Sequence, residues 1–179
     1  MPAIWTTPKT WATGDALTAL DMNTHLRDNL EFLKTNVSDE YRGNESADWT
    51  TTSTSFVDVD NTKLRLDVTT KGGDLLIGFY GTVLHPAASQ IINFDVEAAL
   101  NGGAGARLGL GNDGLVGVVS VTNTNIRMPV SFVYLYRNIA AGSWVFDLQW
   151  KTSASTATLY GGATTGYDIT PQFWCKELN

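Results

Sequence analysis

The side chains that most often carry chemistry are sparse in this sequence. There are two histidines, His25 and His85, and one cysteine, Cys175, in 179 residues. One cysteine allows neither an intrachain disulfide nor a thiolate zinc centre, and its ordinary place is as a small buried apolar residue. Two separated histidines, with no Gly-x-Ser-x-Gly elbow, lack the parts of a nucleophile–base–acid arrangement. His25 reads as a solvated flank of a helix and His85 as a loop residue. Gly109, Gly111 and Gly114 form a Gly-x-Gly-x-x-Gly string, but it continues into LVGVVSV, which is strand-like. No acidic residue occurs between Asp113 and Asp147. A dinucleotide site needs a helix opening at the last glycines and a carboxylate for the ribose, so both parts are missing. Asp95 and Glu97 share a strand face, as a glycoside-cleaving pair would, yet alternation alone produces such pairs. DVDN (58–61) and GNDG (111–114) gather oxygen ligands without continuing into a spaced acidic loop, and turn chemistry accounts for both. The expectation is a protein that is not an enzyme, with no cofactor and no metal.

Composition narrows the class further. Charged residues make up 17% of the chain, against about 25% in ordinary soluble domains. Hydrophobic residues make up 43%, and there are 17 glycines. No apolar run approaches the roughly 18 residues needed to cross a bilayer, so no membrane insertion is expected. The net charge is −6, and lysines and arginines form no cluster, which argues against nucleic acid as a partner. The start, MPAIWTTPKTW, lacks the basic end and apolar core of a secretory signal, and synthesis in a reducing cytoplasm is expected.

Two unlike segments must position whatever the chain does, residues 1–45 and 46–179. The first opens with an arm carrying Trp5 and Trp11, rings that either fold back on the chain or dock into another protein. A helix is predicted over about 18–37, with Thr18 and Asp21 spaced as a capping box. Asn23, Leu26, Leu30, Leu33 and Val37 recur at spacings of three and four, a narrow seam with one polar position. So short and thin a stripe is unstable alone. It packs on its own domain or, as the polar linker SDEYRGNESAD after it favours, on copies of itself.

From Trp49 onward the pattern has period two. Strands are predicted at 53–59, 63–69, 74–83, 91–100, 115–121, 128–136, 143–151, 156–160 and 169–178. SWVFDLQWK sets Trp144, Phe146, Leu148 and Trp150 against Ser143, Val145, Asp147, Gln149 and Lys151, a strand with one wet face. Others are apolar on both faces: Leu75, Ile77, Phe79 and Val83 lie opposite Leu76 and Tyr80, and Val130, Phe132, Tyr134 and Tyr136 lie opposite Val133 and Leu135. A two-sheet sandwich covers only one face of each strand, and no helix remains to cover the other. A second copy of the chain is the simplest cover, which makes Tyr80, Val133 and Leu135 candidate subunit-interface residues. The predicted fold is mainly β, an antiparallel sandwich of jelly-roll type, behind a short helix.

Two resemblances add to this reading. TWATGDALTALDMNTHLRDNLEFLK resembles the N-terminal segment of small virion-associated proteins of tailed bacteriophages, through Trp11, Gly14, Asp15, Thr18, Ala19, Asn23, Arg27, Asp28 and Asn29. Residues 50–178 are similar, at the level of pattern, to trimeric jelly-roll heads of the tumour necrosis factor and complement type. That similarity rests on GGDLLIGFYGTV, VSFVYLY, AAGSWVFDLQWKTSASTATLYGG and PQFWCKEL. Together they imply a homotrimeric virion protein, a fibre, tail or capsid appendage. Its helix would form a trimeric coiled coil, its arm would meet other virion proteins through Trp5 and Trp11, and its head would face a host-surface glycan or protein. The alternative is a carbohydrate-binding, lectin-like module outside any virion, using aromatic rings such as Trp49, Tyr160 and Tyr167.

Overall fold

The computed structural model describes residues 6–34, 38–42, 45, 47–121, 126–162 and 169–178. The chain forms two compact units, Met1–Val37 and Ser38–Leu178.

The first unit is an arm folded onto a helix. Helix α1 (Ala19–Asp21) begins at Thr18, whose hydroxyl accepts the Asp21 amide at 3.1 Å, as the predicted cap requires. The helix then widens into a π-helical stretch, Met22–Arg27, where the Asp28 amide reaches back to the Asn23 carbonyl. It closes as α2 (Asp28–Lys34). This winding offsets Ala19 and Asn23 from the line through Leu26 and Leu30, so the predicted seam is not one regular stripe.

The second unit is a sandwich of two antiparallel six-stranded sheets. One sheet contains β1 (Ser38–Arg42), β2 (Trp49–Thr51), β5 (Gly73–Leu84), β9 (Met128–Ile139), β11 (Ala157–Leu159) and β12 (Gln172–Leu178). The other contains β3 (Val57–Asp58), β4 (Arg65–Thr70), β6 (Ile91–Leu100), β7 (Ala106–Arg107), β8 (Val116–Val119) and β10 (Gly142–Thr152). In the first sheet the order is β1–β12–β5–β9, and in the second β4–β10–β6–β8. Numbering these eight strands in chain order gives 1-8-3-6 facing 2-7-4-5, which is the connectivity of a jelly roll.

Alternation builds the shared core. Ile77 and Phe79 of β5 and Phe173 of β12 point inward from the first sheet, and Phe94, Phe146 and Trp150 from the second. The rings meet across the sandwich: Phe79 to Phe94 at 5.2 Å, and Tyr136 to Trp144 edge-on at 5.7 Å. Cys175 lies in this core as expected, and burial pushes its thiol up to about 12.

Two expectations need correcting. SDEYR, read as linker, is strand β1 and pairs with β12 along its length. It is polar because an edge strand is held by its backbone hydrogen bonds and needs no apolar stripe. The outward side of β10 is also not simply wet: Gln149 is buried, as are Asn93 and Asp95 beside it on β6. The cover is the glycine-rich stretch after β6. Its Gly109 amide donates to Asp95 at 2.8 Å, and its Asp113 carbonyl accepts from Asn93 at 2.9 Å.

Candidate functional surfaces

The outward side of the first sheet carries an apolar strip along β5 and β9, flanked on β12 and β1 by the polar residues Gln172, Lys176 and Glu40. Cross-strand register places Leu76 beside Leu135, Gly78 beside Val133 and Tyr80 beside Ser131, with Trp174 of β12 on the far side of Gly78. Val133 is 65% exposed, and Leu76, Tyr80, Leu135 and Trp174 are half-buried. All three predicted interface residues, Tyr80, Val133 and Leu135, therefore lie on one face. Trp174 was not singled out by the sequence pattern, because one aromatic residue among the polar neighbours Gln172 and Lys176 gives no periodic signal. Its indole lies flat over Gly78, where an added Cβ would sit 2.3 Å from the ring. Glycine at 78 is thus what lets the ring lie against the sheet. Beside it, Gln172 donates from its amide to Glu40 on β1.

The first unit also shows apolar side chains. Leu20, Leu26 and Leu30 are exposed, as is Leu17 before the helix. Leu33 falls within α2, whereas Trp5 and Val37 lie outside the described residues. The described part of the arm runs back along the helix, with Trp11 still 44% exposed. Thr6 donates its amide to Asn29 Oδ1 at 2.9 Å, and Asn29 Nδ2 donates to the Thr6 carbonyl at 2.7 Å. Lys9 lies 4.3 Å from the Trp11 ring and 3.3 Å from Asp21. Pro8, Trp11, Leu17, Met22, His25 and Leu26 line an apolar cleft of about 190 Å³. His25 is therefore half-buried against the arm and not a solvated flank. Several residues of the segment 10–34 have structural roles. Asp15 accepts from Ala12, Thr18 caps the helix and Asn29 clasps the arm.

The remaining chemistry-bearing residues are engaged internally. His85 is a loop residue but fully buried; Nδ1 accepts the Ala87 amide at 3.1 Å and Nε2 donates to the Ala154 carbonyl at 2.6 Å, tying two loops together. Asp95 and Glu97 do share a face. Asp95, however, has no exposure and holds the amides of Val96 and Gly109, both at 2.8 Å, with Arg107 at 3.5 Å. Asp60 of the DVDN turn accepts the amides of Thr62 and Lys63 and the Trp49 indole. Its carboxyl is held below the usual range by those bonds and by Lys63, which outweigh its burial. Among the described residues no group of three or more His, Cys, Asp or Glu is placed to hold a metal ion. Gly114 leads into β8 and not into a helix. Trp49 and Tyr160 are half-buried, the latter under Arg127 at 4.4 Å, and Tyr167 lies outside the described residues.

No protein-family model matches the sequence, and no curated protein matches it. Among solved structures, the chain is similar to Eiger TNF from S. frugiperda, at 13% identity and a TM-score of 0.47, over 80% of this chain and 93% of that one. It is similar to the infectious bursal disease virus VP2 subviral particle at 12% identity and a TM-score of 0.38, over 79% of this chain and 37% of that one. It is also similar to the CBM22-1 xylan-binding domain from Paenibacillus barcinonensis Xyn10C, at 17% identity and a TM-score of 0.36, over 78% of this chain and 83% of that one. The chain thus spans little more than a third of the viral capsid chain.

Proposed function

We propose that this protein is a non-enzymatic, homotrimeric structural protein of a tailed-bacteriophage virion, a fibre, tail or capsid appendage. The observation that carries this reading is the outward face of β5, β9 and β12, where Leu76, Tyr80, Val133, Leu135 and Trp174 form one apolar surface on a charge-poor sandwich. Patches of this kind on soluble proteins mark interaction surfaces. Two more copies of the chain are the occupant we assign to it. A second apolar surface in the same chain, Leu26 and Leu30 on the helix, points the same way. The helices would pack together, fix the register of the three chains and bring three heads into one assembly. Weak contacts of single heads with a cell surface would then act together through a high effective concentration. The arm would meet other virion proteins.

The phage assignment rests on the resemblance of residues 10–34 to virion-associated N-terminal segments. It is tested by the protein content of gradient-purified particles from the phage or prophage that encodes the chain. Particles should contain it in multiples of three copies, and purified particles devoid of it contradict the assignment.

A further inference from the structure

The outward side of the second sheet holds a polar groove of about 470 Å³, lined by Phe56, Glu97, Arg107, Asn112, Gln149 and Lys151 among others. These residues come from four separate stretches of sequence, and hydrogen bonds hold several of them. Gln149, buried on β10, donates one amide hydrogen to Asp58 at 3.0 Å and the other to Glu97 at 3.1 Å. Its carbonyl oxygen has no partner among the described residues. Glu97 is further confined by Gly105, where a Cβ would fall 2.3 Å from the carboxylate, so only glycine leaves that group its place. Across the groove, Arg107 and Lys151 lie 4.5 and 5.0 Å from the Phe56 ring. Arg107 also donates to the Gly111 carbonyl at 2.8 Å and faces Asp95 at 3.5 Å.

We infer that this groove binds a neutral saccharide. It offers acceptors (Glu97, the Asn112 carbonyl) and donors (Arg107, Lys151, the Asn112 amide) within one small space. A hydroxyl group both donates and accepts, so a polyol satisfies both kinds of partner at once. A sulfate only accepts, and it or a phosphate would set its charge against Glu97 and Asp58. Asp95 and Glu97 already match Arg107 and Lys151 in number, which leaves no excess positive charge for an anion. Gln149, Glu97 and Arg107 are held by their own partners before any ligand arrives, which lowers the entropic cost of binding.

This inference rests on the reading of the β unit as the ligand-presenting part of the molecule. The test is an array of immobilised neutral, uronic-acid and sulfated oligosaccharides probed with the labelled 179-residue chain. Glu97→Gln and Lys151→Ala are probed alongside, after circular dichroism has established that both fold. Binding to neutral oligosaccharides, weakened about tenfold or more in each folded variant, is the expected result. Absence of binding, binding to sulfated glycans alone, or binding untouched by both substitutions overturns it. If a variant fails to fold, Asn112→Ala on the groove's rim replaces it. Sedimentation of the same samples separates the two ideas: a monomer that binds neutral glycans sinks the trimer and keeps the groove, and a trimer that binds none does the reverse.

Discussion

The two outward faces of the sandwich obey the same alternation rule and are finished in opposite ways. On the second sheet, Asn93, Asp95, Glu97, Asp147 and Gln149 point outward, and the chain's own glycine-rich stretch folds back over part of them. On the first, Leu76, Tyr80, Val133 and Leu135 point outward, and the described chain leaves Val133 65% exposed. A polar face can be closed by a loop because the loop's amides find acceptors there, as Gly109 does on Asp95. An apolar face offers a loop no such partners, so what covers it best is another well-packed apolar surface. On the proposed reading, assembly uses the apolar face and ligand contact the polar one.

The largest effect that would break this contrast comes from charging the apolar face. Replacing Val133 and Leu135 together by Asp should weaken self-association at least ~100-fold, since buried apolar anchors of an interface carry about 2 kcal/mol or more each. The circular dichroism spectrum should stay unchanged. Unaltered association would move the subunit contact to the helix.

A Gly78→Val variant acts on the same face from beneath. Its side chain would displace the Trp174 indole, costing about 1–3 kcal/mol in urea unfolding. Tryptophan emission should shift at the same time. A variant as stable as the parent would mean that Trp174 does not depend on lying against the sheet.

The polar face is sharpened by pH. Burial, with Asp58, Glu97 and Asp67 nearby, raises the Asp147 carboxyl from 3.8 to about 6 despite Arg65. The folded state therefore disfavours the charged form. That cost sets in as pH rises past the unfolded value and is complete above about 6. Asp147→Asn should then be more stable than the parent by about 1 kcal/mol at pH 7.5, allowing for partial solvent screening. The gain should vanish near pH 4. A difference independent of pH would contradict the assignment.

The smallest effect is on neighbouring residues of β12, which separate inside from outside. Cys175 faces the core with its thiol raised to about 12, so alkylation at pH 8 should wait for urea unfolding. Trp174, on the other side of the strand, should be quenched by acrylamide in the monomeric Val133/Leu135 variant and protected in the assembly.

Much of the fold was legible because its long strands alternate. β5, β6, β9 and β10 stand close to where period two placed them, and the same pattern marked Tyr80, Val133 and Leu135 as residues needing a cover. What escaped was held by backbone or assembled from afar. Strand β1 is polar and pairs through its main chain alone. The loop over Asp95 shows in the sequence only as glycine-rich. The groove draws Phe56, Glu97, Arg107 and Gln149 from separate stretches that no local spacing relates. Asn29 matched a motif without revealing its clasp on Thr6, because one amide bridging to a backbone leaves no periodic trace.

The central claim, that further copies of the chain cover the apolar face, is tested most directly by sedimentation velocity of the 179-residue chain across micromolar concentrations. The account predicts one species with the mass of three 19.4 kDa chains. A monomer at every concentration would contradict it.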